Sequence, residues 1–383
     1  MLERKSQMVF AHDHVFKVFN NRYFSLGQYT DNVWLRYLGF TDKLVVIARK
    51  EMVENVDVES TLNETTLENV FFRCFGKIGV INRLFTSDMK KVIRGNIKNA
   101  DVVICRLPSF VGHLVFYEAK KLDKKILVEV VGCPYDSYRN YGSLLMKTLA
   151  PWEAVKMKRI MKKCDSAIYV TQHFLQNRYP CSGNSTGISD VNLLNIGVFA
   201  LIKENVKVIK FSGSLSASYK GLSDLIKAIA ILKSINVDLE LHVLGEGDRD
   251  SYLSLCQHLG IYDSVKFFNP IKGGISVLEW LLDGDIYVQP SHTEGLPRAL
   301  IEAMSVGLPC IGTSVGGIPE LLSNDVLCRP KNPDDLAHKI LRLVRSKEIR
   351  QKQSLMNIEK CKIYDSTLLE NKRDIFIREQ FFT

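Results

Sequence analysis

The stretch PSHTEGLPRALIEAMSVGLPCIGTSVGGIPE, residues 290–320, has the residue order of a loop, a helix and a strand. Pro297 suits the first turn of a helix, residues 299–304 are good helix formers, and Gly307 stands where a left-handed residue ends a helix. The apolar run at 285–288 predicts the strand that leads in. A helix of about three turns that begins at the carboxyl end of a parallel strand directs unpaired N–H groups to that edge. The stretch therefore predicts an anion-binding site.

Short runs rich in Val and Ile alternate with helical patterns along the rest of the chain. This alternation indicates βαβ units and a buried parallel sheet in each half. The expected strands are residues 44–48, 101–105, 125–131 and 166–170, then 206–212, 240–244, 265–268, 285–288 and 309–312. The Ser-, Gly- and Asn-rich segment 179–195 predicts a connection between domains. We predict an α/β protein with two Rossmann-like domains, 1–195 and 196–350, and a helical tail, 351–383, that packs back on the first.

The composition excludes several classes of protein. The 383 residues are 46% hydrophobic and 24% charged, which is typical of a chain with large folded cores. Nine cysteines occur without a C-x-x-C pair, so neither a disulfide framework nor structural zinc is expected. No apolar stretch has the ~20 residues of a membrane-spanning helix, and the charged N-terminus is unlike a signal peptide. We expect a cytoplasmic protein.

The net charge of +9 lies in the first half of the chain. Residues 1–200 carry 28 basic and 19 acidic side chains, whereas residues 201–383 carry 23 of each. Such a surplus fits an anionic substrate or an anionic membrane surface. The chain has no zinc-finger spacing, RNP pattern or helix-turn-helix signature, so no nucleic-acid partner is expected.

Two glutamates of the first stretch, Glu294 and Glu302, have seven residues between them. Glu294 lies in the loop before the predicted helix, and Glu302 lies about one and a half turns inside it. The two carboxylates can therefore contact separate points along one extended ligand, with a diphosphate at the helix start. This arrangement suits a nucleotide sugar. The alternative for Glu302 is a solvated position on the helix surface.

Four strings carry a resemblance to a known family: EGLPRALIEAM (294–304), GGIPEL (316–321), GSLSASYKG (213–221) and HVLGEGD (242–248). Together they resemble the donor domain of glycosyltransferase family 4 over about residues 207–330. The resemblance implies a GT-B fold, in which two Rossmann-like domains face a central cleft. It also implies transfer of a sugar from a nucleotide-activated donor with retention of anomeric configuration.

The same resemblance assigns roles to residues. Glu294 would be catalytic and contact sugar hydroxyls near the reacting carbon, and Glu302 would accept hydrogen bonds from the ribose. The donor-binding residues would be Gly213, Ser214, Lys220, Gly295, Leu296, Arg298 and Glu302, with backbone N–H groups donating at Gly213 and in the 295–296 loop. Family members usually have a basic residue at the position of Ser214, so the diphosphate would depend more on Lys220, the helix start and Arg298. The alternative for Lys220 is an ordinary surface lysine.

Breaking the sugar–phosphate bond leaves negative charge on the diphosphate. A positioned ammonium and helix N–H groups can each stabilise that charge by roughly 3 kcal/mol. We therefore expect no metal and no cofactor other than the donor substrate, which would be UDP- or GDP-linked.

The first half resembles the acceptor domain of capsule- and polysaccharide-assembling members of that family. The resemblance rests on residues 12–40, expected as the loop after the first strand, and on 106–112 and 128–137. Many members place a histidine beside the reacting carbon in a loop where this chain has Gly132 and Cys133. The acceptor-side catalytic residue therefore has to come from elsewhere.

The candidates for that role are Asp13, His14 and Asp136, because each is polar and lies near a predicted strand end that faces the cleft. A role in capping a loop or satisfying the core is the open alternative for each of them. Gly27 is expected to keep the backbone of the first loop close to the donor, or to be a plain loop glycine.

Residues 143–163, SLLMKTLAPWEAVKMKRIMKK, combine aliphatic side chains and Trp152 with six basic residues. A basic amphipathic helix of this kind can lie in the interface of a membrane that contains anionic lipids. The alternative is an ordinary helix whose apolar stripe packs on the sheet.

These features together predict a retaining, metal-independent glycosyltransferase. It would move a hexose-type sugar to a growing polysaccharide or a lipid-linked oligosaccharide of the capsule, exopolysaccharide or O-antigen type. It would act in the cytoplasm, with a peripheral position on the inner face of the cytoplasmic membrane as one option. The alternatives are a soluble transferase that makes a small glycoside and a non-catalytic GT-B subunit that binds a nucleotide sugar or a partner enzyme.

Overall fold

The protein has an α/β fold with two separate β-sheets, one from each half of the chain. The computed structural model describes residues 6–25, 29–54, 62–76, 87–140, 144–193, 197–271 and 274–382. Each of the nine predicted runs overlaps an observed strand. The predicted fold class is confirmed.

Nine strands of the described chain form the first sheet. They are β1 (Gln7–Phe19), β2 (Arg22–Ser25), β3 (Lys43–Met52), β4 (Asn63–Glu64), β5 (Val70–Phe75), β6 (Val102–Leu107), β7 (Lys125–Val130), β8 (Ser166–Tyr169) and β9 (Asn184–Gly187). The parallel part runs in the order β5-β3-β1-β6-β7-β8-β9, and β2 and β4 extend it in antiparallel pairing from β1. The central strands are rich in Val and Ile because helices cover both faces.

Six strands of the described chain form the second sheet, and all their pairings are parallel. They are β10 (Val208–Ser212), β11 (Glu240–Leu244), β12 (Val265–Phe268), β13 (Ile286–Gln289), β14 (Cys310–Thr313) and β15 (Leu327–Cys328). The order β12-β11-β10-β13-β14-β15 reverses direction between β10 and β13. Open sheets of this type bind ligands at the carboxyl ends of the strands that flank such a switch point.

The described helices are α1 (Asp31–Leu38), α2 (Ser87–Ile97), α3 (Phe110–Lys121), α4 (Pro134–Asn140), α5 (Leu144–Met161), α6 (Phe174–Arg178), α7 (Leu222–Ser234), α8 (Asp250–His258), α9 (Ile275–Leu282), α10 (Arg298–Ser305), α11 (Ile318–Leu321), α12 (Pro333–Arg345), α13 (Lys347–Cys361) and α14 (Ser366–Phe381). Helix α10 is the helix predicted after β13. It has eight residues and is shorter than the predicted three turns, because Pro297 is extended (ψ 112°) and stands just before it. Gly307 has the predicted left-handed conformation, φ +77°.

Strand β1 continues further than the sequence indicated. Residues 12–19 were expected to lie in a loop, yet β1 runs to Phe19 and pairs with β3 on both sides of an irregularity between Ala11 and Val15. Its pairing with β6 ends at Ala11. A bulge of this kind turns side chains away from the regular alternation. It determines where His12, Asp13 and His14 lie.

The C-terminal helices contact both halves of the molecule. Helix α13 packs on the second half, where Asn357 donates a hydrogen bond to the Leu308 carbonyl at 2.7 Å. Helix α14 lies against the first sheet, where Lys125 Nζ donates to the Phe381 carbonyl at 2.9 Å. The predicted domain limit at residue 195 lies outside the described residues, and the predicted limits of the domains stay predictions.

Candidate functional site

The cleft between the two sheets consists of two adjoining cavities. The first has a volume of about 390 Å³ and is lined from both halves, by residues that include His12, Tyr29, Arg106, Gly132, Cys133, Asp190, Lys220, Glu294, Gly295, Leu296 and Arg298. The second, of about 1260 Å³, shares Lys220 and Arg298 with the first and extends to Ser214, Glu302 and Arg373. It is also lined by Ser212 and Gln289, at the carboxyl ends of β10 and β13. The cleft therefore lies at the switch point of the second sheet.

Glu294 and Lys220 form a half-buried ion pair in this cleft. Glu294 Oε1 accepts hydrogen bonds from Lys220 Nζ at 2.7 Å, Ser291 Oγ at 2.8 Å and Gln289 Nε2 at 3.2 Å. Among the described residues, its Oε2 has no hydrogen-bond donor. Burial alone would lower the pKa of Lys220, but the Glu294 carboxylate outweighs that effect and raises it. The Lys220 ammonium therefore stays protonated, and Glu294 Oε2 is available to accept a hydrogen bond from a ligand.

The turn that carries Lys220 is fixed by a glycine. Residues Ser218–Lys220 form one 3₁₀ turn, and Gly221 follows with φ +76°. A Cβ at Gly221 would lie 2.0 Å from the Pro290 carbonyl oxygen. Only glycine therefore lets the Lys220 turn pack directly against the end of β13. In the sequence, this contact is indicated by the glycines at the two ends of GSLSASYKG, Gly213 and Gly221.

The loop before α10 approaches the first half of the molecule closely. A Cβ at Gly295 would lie 2.3 Å from the Val131 carbonyl oxygen, and Gly317 N–H holds the loop by donating to the Gly295 carbonyl at 2.7 Å. Pro297, the residue before α10, makes no side-chain hydrogen bond that caps the helix. The N–H groups of Gly295 and Leu296 have no acceptor within the described part of the chain. These amides and the first turn of α10 form a local concentration of donors in the cleft.

Gly213 and Ser214 line the larger cavity, but the Gly213 N–H has a different partner from the one expected. The Gly213 N–H donates to the Leu244 carbonyl at 3.0 Å, so it belongs to the sheet edge and is not available to a diphosphate. Ser214 is exposed and lines the larger cavity. Its hydroxyl brings no charge to the cleft.

Arg298 and Glu302 lie one helical turn apart on α10. Arg298 lines both cavities, and its guanidinium has no hydrogen-bond partner among the described residues. The Glu302 carboxylate lines the larger cavity and likewise has no hydrogen-bond donor from the described chain. Burial raises the pKa of Glu302, while Arg298 acts in the opposite direction. A half-buried carboxylate without a donor is suited to accept hydrogen bonds from a ligand hydroxyl.

The sequence analysis missed His12, which lines the smaller cavity from the bulge of β1. Its Nδ1 accepts a hydrogen bond from the His14 N–H at 3.2 Å and lies 3.1 Å from the Tyr29 hydroxyl. Burial, together with Arg106 and His14, lowers the pKa of His12 well below its ordinary value. The ring is therefore neutral, and the bond to Nδ1 assigns its proton to Nε2. The one available signal was the position of His12 directly after the apolar run Met8–Ala11.

The three predicted acceptor-side candidates have other partners and do not line the smaller cavity. Asp13 accepts hydrogen bonds from the N–H groups of Phe110 and Val111, at 2.6 and 2.9 Å, and so caps α3. His14 Nε2 lies 2.9 Å from Ser25 Oγ, and burial lowers the pKa of His14 to about 4. These contacts favour the alternative given above for Asp13 and His14, a role in capping or in satisfying polar groups of the core.

Asp136 forms two contacts with the Arg178 guanidinium, at 2.7 and 3.1 Å. The carboxylate therefore ties α4 to α6. Gly27, the fourth first-half prediction, lies outside the described residues. Gly132 and Cys133 do line the cavity, and burial raises the pKa of the Cys133 thiol to about 11, so the thiol is neutral there.

Comparisons with known proteins define the class to which this chain belongs. A family profile described as "Glycosyl transferases group 1" matches residues 198–357. Protein CapJ from Staphylococcus aureus is 31% identical over 372 residues, which are 96% of this chain and 94% of CapJ. The chain belongs to this family of glycosyltransferases, and the predicted membership of glycosyltransferase family 4 is confirmed. AmsK from Erwinia amylovora, an amylovoran biosynthesis glycosyltransferase, is 37% identical over 114 residues, 28% of each chain.

A solved structure shows the same fold. Anabaena HepE, crystallised in complex with UDP-glucose, superposes with a TM-score of 0.65 at 14% sequence identity, over 97% of this chain and 99% of HepE. The predicted GT-B architecture is confirmed. Within the described residues, no helix is long and apolar enough to cross a membrane, and no three His, Cys, Asp or Glu side chains form a group that could hold a metal ion.

Proposed function

We propose that this glycosyltransferase moves a hexose-type sugar, with retention and without a metal ion, from a UDP- or GDP-linked donor to a growing polysaccharide or a lipid-linked oligosaccharide. The observation that carries the proposal is the Lys220–Glu294 pair at the start of α10, with the Glu302 carboxylate further along the same helix. The complex of the structural relative HepE with UDP-glucose supports the donor class, and the amylovoran relative AmsK supports the acceptor class.

In this proposal the donor diphosphate lies at the N-terminus of α10. The amides of Gly295 and Leu296, the Lys220 ammonium and the Arg298 guanidinium surround that position. The charge that develops on the leaving diphosphate is stabilised by groups that are already oriented, so little reorganisation is needed during the reaction. These groups supply the positive charge that a metal ion supplies in other transferases. Lys220 and Arg298 also compensate for the missing cation at Ser214.

The two glutamates hold the two ends of the donor. Glu302 accepts hydrogen bonds from the ribose hydroxyls, because its carboxylate lines the larger cavity without a donor of its own. Glu294 accepts from hydroxyls of the transferred sugar through Oε2, while Oε1 stays bound to Lys220, Ser291 and Gln289. One carboxylate thereby couples the position of the sugar to the ammonium that contacts the diphosphate.

His12 replaces the histidine that many family members carry in the loop of Gly132 and Cys133. Its neutral ring directs an Nε2–H towards the smaller cavity, where it donates a hydrogen bond to a sugar hydroxyl near the reacting carbon. Cys133 cannot take this role, because its neutral thiol is a weak donor and already lies 3.2 Å from the Tyr179 hydroxyl.

A titration with nucleotides tests the donor class. Thermal unfolding of the full chain is followed with UDP, GDP and ADP and with their sugars. A ligand at about 100 times its Kd stabilises the folded state by about 2.7 kcal/mol, so the donor base is identified by the largest rise in Tm. An equal response to all nucleotides, or none, contradicts the proposal. Adenosine and uridine serve as controls that lack the diphosphate.

We also propose that α5 attaches the enzyme to the anionic inner face of the cytoplasmic membrane. The first half of α5 exposes apolar side chains, including Leu144 (80% exposed) and Trp152 (58% exposed). Exposed basic residues follow them: Lys158, Arg159, Lys162 and Lys163. The stripe that packs on the protein consists of other residues, among them Met157 and Ile160, so sheet packing does not account for the apolar exposed face. Apolar and cationic groups on one exposed side suit an anionic bilayer.

Sedimentation with lipid vesicles tests this attachment. The enzyme should bind vesicles that contain phosphatidylglycerol and not vesicles of phosphatidylcholine alone. Replacing Lys158 and Arg159 by Gln should weaken binding about thirtyfold, since each cation near the surface contributes about 1 kcal/mol. Leu355→Ala, at an exposed apolar position on α13, is the control. Equal binding to both kinds of vesicle contradicts the proposal.

A further inference from the structure

His292 holds the segment that carries Lys220 at two points. Its backbone N–H donates a hydrogen bond to the Tyr219 carbonyl at 2.7 Å, on one side of the lysine. Its ring Nε2 lies 2.6 Å from Asp224 Oδ2, on the other side. One residue of the loop after β13 therefore contacts the chain both before and after the lysine that pairs with Glu294.

The contact between the His292 ring and Asp224 is mostly removed from water. The two side chains are 17% and 15% exposed. Asp224 lies in the first turn of α7, and among the described residues the His292 ring is the one hydrogen-bond partner of its carboxylate. Breaking this bond would leave a mostly buried carboxylate without a donor, which is costly. The contact therefore fixes the start of α7 relative to the loop after β13.

The turn that carries Lys220 has few hydrogen bonds of its own. Residues Ser218–Lys220 form a single 3₁₀ turn, in which the Lys220 N–H donates to the Ala217 carbonyl at 2.8 Å. Hydrogen bonds in such short turns have poorer geometry than those of an α-helix. The position of the ammonium therefore depends on the contacts that the turn makes with residues 290–294.

The His292–Asp224 contact lies behind the wall of the cleft. Neither of the two side chains lines either cavity. Their neighbours do: Tyr219 and Lys220 line both cavities, and Glu294 lines the smaller one. An effect of His292 on a bound donor therefore has to pass through these neighbours.

We propose that His292 is a positioning residue, which together with Asp224 fixes the turn of Lys220 so that its ammonium contacts the donor diphosphate. The inference rests on the function proposed above, in which Lys220 binds that diphosphate. Lysine carries its charge on a flexible stem, and ordering such a stem opposes binding. A turn that is already fixed lowers this cost before the donor arrives. The ammonium can then stabilise the leaving diphosphate without reorganisation.

Calorimetry of the full chain tests the proposal, with UDP and uridine or with GDP and guanosine, according to the base found in the thermal screen. The measured quantity is the diphosphate preference, which is the Kd of the nucleoside divided by the Kd of the nucleoside diphosphate. Two amide variants of His292 differ only in their reach. The amide nitrogen of His292→Gln can take the place of Nε2 and bind Asp224, whereas the side chain of His292→Asn is one methylene too short.

His292→Asn should lower the diphosphate preference about fivefold, and His292→Gln should keep it within about twofold of the native value. Asp224→Ala removes the same contact from the other side and should match His292→Asn, so the result does not depend on one variant. The Tm of each variant shows that it is folded. Equal preference in the Asn and Gln variants, or no loss in Asp224→Ala, overturns the proposal. His258→Asn, at an exposed position on α8, is the control and should change nothing.

A second measurement combines His292→Asn with Lys220→Ala. If His292 acts through the ammonium, the two changes are not additive, and His292→Asn should alter the preference by less than about twofold once Lys220 is alanine. A residue that only supports the fold would weaken nucleoside and nucleoside diphosphate alike in both backgrounds. That result overturns the proposal.

The same data separate this inference from the proposed function. If Lys220→Ala lowers the preference at least about tenfold while His292→Asn leaves it unchanged, Lys220 binds the diphosphate without help from His292. The donor assignment then stands and the positioning role is wrong. If Lys220→Ala leaves the preference unchanged, Lys220 does not bind the diphosphate, and the donor assignment fails together with the inference.

Discussion

The two sides of the cleft hold their polar groups by different means. On the second-half side, Glu294 is bound by Ser291 and Gln289, which are three and five residues away in the chain. On the first-half side, Glu129 is bound by Arg106 and Arg373, at separations of 23 and 244 residues. The Glu294 carboxylate is thus held mainly by residues of its own strand end, and Lys220, 74 residues away, is its one distant partner among the described residues. The acceptor side exists only when the whole first sheet and the C-terminal helix have come together.

This difference suggests that the two sides of the cleft have different roles in the reaction. A site built from local contacts keeps its geometry when the rest of the molecule shifts, which suits the bond-breaking step. A site built across distant segments can change with each of them, which suits recognition of different acceptors. Changes on the donor side should therefore abolish turnover, and changes on the acceptor side should alter selectivity or stability.

The largest effect is expected for Glu294→Gln. The substitution keeps the shape of the side chain but removes the charge that orients the sugar and holds Lys220. We expect kcat to fall by about a hundredfold or more, as for loss of one oriented polar group in other active sites. Steady-state transfer assays measure kcat, and the Tm of the variant shows that it remains folded.

Glu279→Gln is the matched control, because Glu279 is exposed on α9 outside the cleft. It should leave kcat unchanged. Full activity of Glu294→Gln would remove Glu294 from the chemistry. Absence of turnover in the native chain would instead favour a non-catalytic binding subunit.

The same difference explains what could be predicted from the sequence. Strands and the donor segment depend on local order, so the alternation of apolar runs and the glycines around Lys220 were sufficient to place them. The acceptor side depends on contacts such as Arg106 with Asp190, 84 residues apart, for which one sequence contains no local signal. The sequence also contains no local signal for the bulge in β1. This bulge directs His12 into the cleft and turns Asp13 to the start of α3.

An intermediate effect is expected for Lys220→Ala. Without the ammonium, the diphosphate loses one charge-assisted hydrogen bond, whereas the base and ribose keep their contacts. Binding of the nucleoside diphosphate should weaken at least about tenfold more than binding of the nucleoside. Calorimetry with UDP and uridine, or the corresponding guanosine pair, measures the two losses.

Lys227→Ala, at an exposed position on α7, is the control for general loss of positive charge. It should leave both affinities unchanged. Equal weakening of nucleoside and nucleoside diphosphate by Lys220→Ala would mean that Lys220 supports the fold of the loop and does not contact phosphate.

The last expected effect is on the free energy of unfolding, which should fall at acid pH because of His14 in the first half of the chain. Burial lowers the pKa of His14 to about 4, whereas an exposed histidine in the unfolded chain has its ordinary value near 6.5. Between these two values the unfolded state binds more protons than the folded state, so stability falls as the pH falls from 6.5 towards 4. The loss attributable to His14 should be roughly 2 kcal/mol between pH 7 and pH 5. Urea unfolding at both pH values measures it.

His14→Gln should reduce this pH dependence by the same amount, because glutamine does not titrate. His338→Gln, at an exposed position on α12, should leave the dependence unchanged. An identical difference between pH 7 and pH 5 in the native chain and in His14→Gln would show that His14 is not held neutral. In that case the environment next to His12 would also be wetter than the structure indicates. Lys220 should be insensitive in this range, because it keeps its proton beside Glu294 and its raised pKa lies far above the range.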